Sequence, residues 1–387
     1  MIKRILIVIL LWLVVDFYFF AAVQTLTDNL LIHVAYWLVE AAIIGSVFYV
    51  IATGKLKLIS GVIKLLVLSF VPKLAGALIL LMEDLSRLFR SFPLRNDEVS
   101  MLAISVAIVL WLVLLISINR GRHYYKIRRA FLYFEDLPES FNDFTITHLS
   151  DIHAGSFTDV KGVQKGLDLV NAQKSDVILF TGDLVNNEAS EMTPWIPAFA
   201  RLKAPYGKYS VLGNHDYGDY IRWPDIKDKQ SNFNRLKQVH QEIGFQLLLD
   251  DSKMITKGDD SIAIVGVENW GKGNFHKYGN LKKATDNLSD ETFKILMSHD
   301  PSHWDAEIID HNKPVQLTLS GHTHGMQFGF EIFGFRWSPI KYIYKQWAGL
   351  YKKAGKYLYV NRGFGFLGLN GRVGIWPEIT VITLKRK

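Results

Sequence analysis

Five short clusters carry the residues able to do metal chemistry: Asp151-Ile152-His153, Gly182-Asp183, Gly213-Asn214-His215-Asp216, His299, and Gly321-His322-Thr323-His324. Each follows a run of β-branched or aliphatic residues, so each would be delivered at a strand end. Asp151 and His153 bracket one residue, as do His322 and His324, and on extended backbone such pairs point the same way. The Asp183 carboxylate has two oxygens and can bridge two cations, which no imidazole can do. Gly182 beside it removes a side chain where a cluster must approach the backbone closely. Asn214 offers a carbonyl oxygen and His299 a further nitrogen. Singly, the fragments have plainer readings: aspartate N-caps after strands, a turn at His299-Asp300-Pro301, a polar strand edge at His322 and His324. Five at successive strand ends are better explained by a binuclear metal site. The mixed oxygen and nitrogen donors suit Mn, Fe or Zn over Ca or Mg. The chain has no cysteine, which excludes a thiolate site and a disulfide framework.

The elements that must position these clusters are strands alternating with helices. Strands are expected at 144–149, 177–180, 209–212, 246–249, 261–267, 293–297, 315–319, 357–361 and 375–384, and helices near 159–172, 193–203, 231–243 and 280–288. Strands alternating with helices and then turning mostly β imply an α/β domain of two packed sheets flanked by helices, over residues 142–387.

Residues 1–118 differ in kind. Four apolar segments, 5–23, 35–53, 62–82 and 101–118, approach the ~20 residues a bilayer requires. The third is the least regular, with Lys64, Pro72 and Lys73 inside it. Asp16, Glu40 and Lys73 are ionisable groups within spans, and the simplest expectation is that they pair or lie near an interface. Residues 119–141, beginning with Arg120, Arg122, Lys126, Arg128 and Arg129, read as a basic juxtamembrane linker touching anionic lipid. By Lys3, Arg4, Lys55, Lys57 and that basic run, both termini and the domain at 142–387 are expected in the cytoplasm, in a multi-pass protein of a cell inner membrane. Arg87, Arg90 and Arg95, in the loop 83–100, run against the assignment. The net charge of +7 suits a membrane surface or a phosphate-bearing substrate. Nucleic acid is not expected as a partner, because the basic residues gather next to the apolar region instead of lining a groove with interleaved aromatics.

The ordered set Asp-x-His, Gly-Asp, Gly-Asn-His-Asp, His and Gly-His-x-His resembles the calcineurin-like metallophosphoesterase superfamily over nearly all of 142–387. The segments 321–327, 361–365 and 377–379 are similar to its membrane-associated bacterial branch of the YkuE and YaeI type, with one departure: Met326 stands where a glycine usually follows Gly325. The resemblance implies a four-layer α/β/β/α sandwich. It also implies one metal on Asp151, His153, Asp183 and His324 and a second on Asp183, Asn214, His299 and His322. Two cations ~3.5–4 Å apart would activate water for an in-line displacement at phosphorus. His215 follows a ligand without being needed as one and is assigned as general acid, with Asp216 to orient it. Arg362 is a candidate for a second substrate phosphate, and Trp337, Trp347 and Tyr351 for a base or an acyl chain. A related branch cleaves the pyrophosphate of UDP-2,3-diacylglucosamine, so a lipid-linked substrate of that kind is the leading expectation. The alternatives are a phosphodiesterase of soluble nucleotides and a membrane sensor that only binds phosphate.

Overall fold

The computed structural model describes residues 2–55, 58–273 and 275–387; Lys57, used above for orientation, lies outside them. The chain forms two units, residues 1–119 with 368–370 and residues 120–367 with 371–387.

The first unit consists of α1 (Ile2–Leu26), α2 (Leu30–Thr53), α3 (Ile59–Leu88) and α4 (Asp97–Gly121). Among the described residues these four helices are long and apolar enough to cross a membrane. α1 and α3 meet at Gly76, where a β-carbon would lie 2.3 Å from the Phe19 ring, so only glycine permits the approach. The three ionisable groups sit near the midpoints of their helices and pair with one another. Lys73 Nζ donates to Asp16 Oδ1 at 2.9 Å, to Ser69 Oγ at 3.0 Å and to Glu40. Ser69 donates to Glu40 at 3.1 Å, and Tyr36 donates to the Asp16 carbonyl, also at 3.1 Å. The irregular third span is thereby explained: Lys73 is tolerated because two carboxylates meet it.

The second unit is built on two six-stranded sheets. The first runs in the order β1 (Lys126–Phe134), β14 (Glu378–Arg386), β2 (Thr145–Leu149), β3 (Val177–Phe180), β4 (Lys208–Ser210), β5 (Gln246–Leu247). The second runs β12 (Gly349–Lys353), β13 (Lys356–Val360), β9 (Leu317–Ser320), β8 (Lys294–Met297), β7 (Asp260–Gly266), β6 (Asp251–Lys257). β2 to β5 are parallel, as are β7, β8, β9 and β13.

Buried on both faces, the central strands read as unbroken apolar runs. Val177 and Leu179 point into the core between the sheets, whereas Ile178 and Phe180 pack toward α5 (Val160–Ala172), α6 (Ile196–Phe199) and α7 (Ile226–Glu242). In β7, Ile262 and Ile264 join the inter-sheet core, and Ala263 and Val265 pack with α8 (Leu281–Thr285) and the turn at Trp304–Ile308. The layers are therefore α/β/β/α.

Two expectations fail here. Residues 119–141 are not a linker, because 126–134 form β1, paired in parallel with β14 over nine residues. Ala130, Leu132 and Phe134 alternate into the inter-sheet core. The basic side chains that masked this strand are bonded at its surface, Arg128 to Glu331 and Arg129 to Gln173. The helix expected at 193–203 shrinks to Ile196–Phe199, closed on one side by the 3-10 turn Ala189–Met192.

Candidate metal centre

All the clusters leave the C-terminal ends of parallel strands. Asp151 follows β2, Asp183 follows β3, Asn214 follows β4, His299 follows β8 and His322 follows β9. Open α/β sheets offer ligand sites at that edge. The backbone there is unusual. Asp151 (φ 52), His153 (φ 49), Asp183 (φ 59), His322 (φ 70) and His324 (φ 50) are all left-handed. Aspartate and histidine visit this region more readily than most residues, at a cost of roughly 1–2 kcal/mol each. Hydrogen bonds hold them there. The amides of Ile152 and His153 donate to the Asp183 carbonyl at 2.9 and 3.1 Å. Gly182, at φ 93, could not carry a β-carbon, which would lie 2.3 Å from the Gly213 nitrogen.

The side chains converge as two overlapping groups. Asp151, His153, Asp183 and His324 are all buried, and one ligand atom from each lies within 4.8 Å of the others. His153 Nε2 is 3.0 Å from His324 Nε2 and 3.4 Å from Asp183 Oδ2, and His324 Nε2 is 3.2 Å from Asp151 Oδ1. The same Asp183 Oδ2 lies 3.2 Å from His299 Nε2, which is 3.2 Å from Asn214 Oδ1 and 3.3 Å from His322 Nδ1. His322 Nδ1 is 2.8 Å from Asn214 Oδ1. Asp183 Oδ1 is occupied by the His215 backbone N–H at 2.9 Å, so Oδ2 is the oxygen left to both groups.

Electrostatics agree with a cation-binding role. Burial holds His153 neutral down to about 3, and it pulls His324 well below the ordinary histidine range. Asp183 is held well below the usual carboxylate range: burial alone would raise it, but His299 and His215 outweigh that. Burial, with the Asp183 charge added, pushes Asp151 up to about 7. His299 shows the demand most directly. Burial opposes its charge, yet the Asp183 carboxylate raises it to about 10. Facing imidazole nitrogens and two carboxylates form a donor set that fits divalent cations, with Arg372 Nη2 lying 3.4 Å from Nδ1 on the outer side of His324. Outer partners orient the rings. His299 Nδ1 donates to the Thr181 carbonyl at 2.7 Å, leaving Nε2 free, and Tyr344 Oη lies 2.9 Å from His322 Nε2.

His215 is half-buried beside this centre, its ring 5.0 Å from that of His153. Its Nδ1 donates to the Asn186 carbonyl at 2.8 Å, so Nε2 is the free atom. Asp216 does not orient it. That carboxylate instead accepts the backbone N–H groups of Asp183, Leu184, Val185 and Gly213 at 2.8 to 3.2 Å, pinning the turn that carries Asp183. Asn186, Tyr344 and Tyr220, which donors or acceptors on His215, His322 and Asn214 engage, went unnoticed in the sequence. Only the position of Asn186, three residues past Asp183, could have drawn attention.

Arg362 lies elsewhere. It is buried, and its guanidinium is bound to Glu331 and Glu378, so its charge is already matched inside the protein. Trp347 is likewise buried, and Tyr351 accepts the Trp347 backbone N–H at 3.1 Å. Trp337 stacks on Phe330.

The family model for calcineurin-like phosphoesterases matches residues 144–326, and that for the transmembrane domain of a probable calcineurin-like phosphoesterase matches residues 3–122. An uncharacterized metallophosphoesterase of Bacillus subtilis, YkuE, is 32% identical over 253 residues, covering 64% of this chain and 82% of that protein. The chain belongs to the calcineurin-like metallophosphoesterases. A second B. subtilis metallophosphoesterase, YkoQ, is 26% identical, over 72% of this chain and 97% of its own length. A zebrafish transmembrane protein with a metallophosphoesterase domain is 28% identical, over 65% of this chain and 55% of that protein, so the chain spans about half of that relative. The protein is thus a multi-pass, membrane-associated, metal-dependent phosphoesterase.

Proposed function

We propose that the chain hydrolyses a phosphodiester or pyrophosphate bond of an amphiphilic substrate. Asp151, His153, Asp183 and His324 hold one divalent cation in this reading, and Asp183, Asn214, His299 and His322 a second. The observation that carries it is the single Asp183 oxygen within 3.4 Å of His153 and 3.2 Å of His299, where it can serve both groups. The cations, Mn, Fe or Zn by donor chemistry, would supply water activation and charge neutralisation at phosphorus. The protein's own part is positional. The Asn186 carbonyl holds the Nδ1 proton of His215, so in the imidazolium the second proton sits on Nε2, from which it can pass to the leaving oxygen.

Beside the centre is a depression of about 820 Å³ whose lining includes Trp270, Lys272, Phe275, Lys277, Tyr344 and Lys345. Its lysines suit a second phosphate and its aromatics a base or ring. Four spans in the same chain favour a substrate that itself resides at the membrane, such as UDP-2,3-diacylglucosamine. The basic residues Lys55 and 120–129 favour a cytoplasmic catalytic unit.

The test is hydrolysis by the detergent-solubilised protein with Mn added, against an aryl phosphodiester, UDP-2,3-diacylglucosamine and a soluble nucleotide sugar. Turnover far better on the acylated substrate is expected. Equal turnover on soluble substrates would make the spans an anchor only, and none at all would leave a phosphate-binding module.

A further inference from the structure

The segment from Phe330 to Lys345 is apolar where a soluble surface is ordinarily polar. β10 (Phe330–Ile332) and β11 (Phe335–Trp337) form an isolated antiparallel hairpin. Its turn residues, Phe333 (φ 50) and Gly334 (φ 81), both have positive φ, the type I′ arrangement in which Asn-Gly is the usual pair. A phenylalanine at the first of these positions is strained, and this one receives nothing from the protein in return. Its exposure is 103%. A bulky residue held at positive φ and pointed into solvent marks a functional constraint. Ile332 and Phe335 are exposed on the same hairpin, and Tyr342 (75%) and Ile343 (68%) continue the patch.

Within the segment the free charges have one sign, and Asp305 beside it is bound by Gln346 and Lys353. From 330 to 347 the only acidic residue is Glu331, bound by Arg128 and Arg362. Arg336 is held by the Ala348 carbonyl, which leaves Lys341 and Lys345 as the exposed charges. Exposed aromatics with lysines and no free acid are complementary to an anionic bilayer surface. The same chain spans a membrane, and only residues 122–125 separate α4 from β1, whose Arg128 holds this hairpin. Such a tether keeps the bilayer at high effective concentration.

We propose that the Phe330–Trp337 hairpin, with Tyr342 and Ile343, inserts into the headgroup layer of an anionic lipid bilayer. The patch adjoins Tyr344, whose hydroxyl is 2.9 Å from His322 Nε2, so the inserted surface borders the metal centre. Its bearing on substrate entry rests on the amphiphilic-substrate reading above; the insertion does not.

The chain has no cysteine, so Phe333→Cys gives one thiol for a nitroxide label in the full-length protein. Met254→Cys, exposed on β6, is the control. Both are reconstituted in vesicles of phosphatidylcholine alone and with about a quarter phosphatidylglycerol. The label at 333 is expected to be several-fold more accessible to oxygen, and less to an aqueous nickel chelate, than the label at 254, with the difference growing on anionic lipid. Equal accessibility at the two sites overturns the proposal. So does a label at 333 shielded from both reagents, or disulfide-linked dimers of Phe333→Cys, since a protein partner then covers the patch. A second variant, Phe333→Asp with Phe335→Asp, read from a label at Tyr342→Cys, should abolish the shielding. It should leave turnover of the soluble aryl phosphodiester unchanged and lower turnover of the acylated substrate. Intact shielding of the label in Phe333→Cys, with no preference of the unsubstituted protein for the acylated substrate, supports insertion and defeats the substrate reading alone.

Discussion

Two of the buried clusters of ionisable residues in this molecule differ in how they are closed. In the membrane unit Lys73 reaches Asp16, Glu40 and Ser69, so an ammonium lies between the carboxylates. In the catalytic unit Asp151, Asp183 and four histidines converge with Arg372 only at the outer His324 nitrogen, and in the metal-free protein the counter-charge is a proton on His299, pushed up to about 10 because Asp183 overrides its burial. A buried charge needs a counter-charge in either place. The first cluster carries its own and is satisfied within the helices. The second calls for cations from outside, which is what distinguishes a binding site from a structural ion pair.

Removing the shared oxygen breaks that contrast most severely. Asp183→Asn takes away the charge that serves both groups, so metal affinity should fall by more than the roughly 10–100-fold lost with an outer partner. Metal analysis after dialysis and phosphoester turnover should both collapse. A variant that keeps two metals would show that Asp183 does not bridge. His215→Gln separates binding from chemistry, because the residue stands beside the donors without joining them. Turnover on poor leaving groups should drop by about 10²–10⁴ while metal content stays intact. Loss of metal in that variant would place His215 in the structure of the site.

The membrane cluster predicts the opposite pattern. Lys73→Met alone strands two carboxylates among apolar helices and should destabilise the membrane unit by about 3–5 kcal/mol. Replacing all three charges together (Asp16→Asn, Glu40→Gln, Lys73→Met) should restore stability to within about 1 kcal/mol of the original or better. Thermal unfolding in detergent measures both. If the triple variant is as unstable as the single one, the cluster is not a self-contained pair and shares the open character of the metal site.

What the sequence disclosed follows the same division. That the candidate ligands converge was legible because strand ends deliver them in order and because Asp and His tolerate the left-handed backbone that turns them inward. The spans were legible from length and hydropathy alone. Asp16, Glu40 and Lys73 were expected to pair because a lone charge in a span is costly, although 24 and 33 residues separate them; what was hidden is that one lysine serves both carboxylates. Other contacts between distant positions were not legible. Tyr344 reaches His322 from a segment without regular pattern. Asp216 read as a partner of its neighbour His215, yet its carboxylate is drawn to the unpaired N–H groups of the 183–185 turn. β1 was hidden by arginines that decorate an alternation continued by Ala130, Leu132 and Phe134. Strands β6 and β10–β12, edge or hairpin elements with few buried side chains, carried too weak a period to be noticed.

The smallest effect sharpens the comparison from the histidines that bind nothing. His148 Nε2 lies 2.9 Å from Thr181 Oγ1, and His240 Nδ1 lies 2.9 Å from Ser210 Oγ. Burial lowers both to about 3, against an ordinary value near 6.5. Between about pH 6.5 and 3 the unfolded chain takes up a proton at each position and the folded chain does not, so stability rises with pH through that window. Acidifying from about pH 7.5 to 5.5 should therefore cost the catalytic unit about 1.4 kcal/mol per histidine, and His240→Gln should remove one such share of the slope. His299 runs the other way in the metal-free protein. Its raised value makes its contribution fully present below about 6.5 and lost as pH climbs toward 10. Bound cations take over the role of that proton. Denaturant titrations across pH, with and without chelator, should show the His240 slope in both conditions and an alkaline loss only when metal is stripped. An alkaline loss of equal size in the metal-loaded protein would mean that no cation replaces the His299 proton, and the contrast between the closed cluster and the open one would fail at its main point.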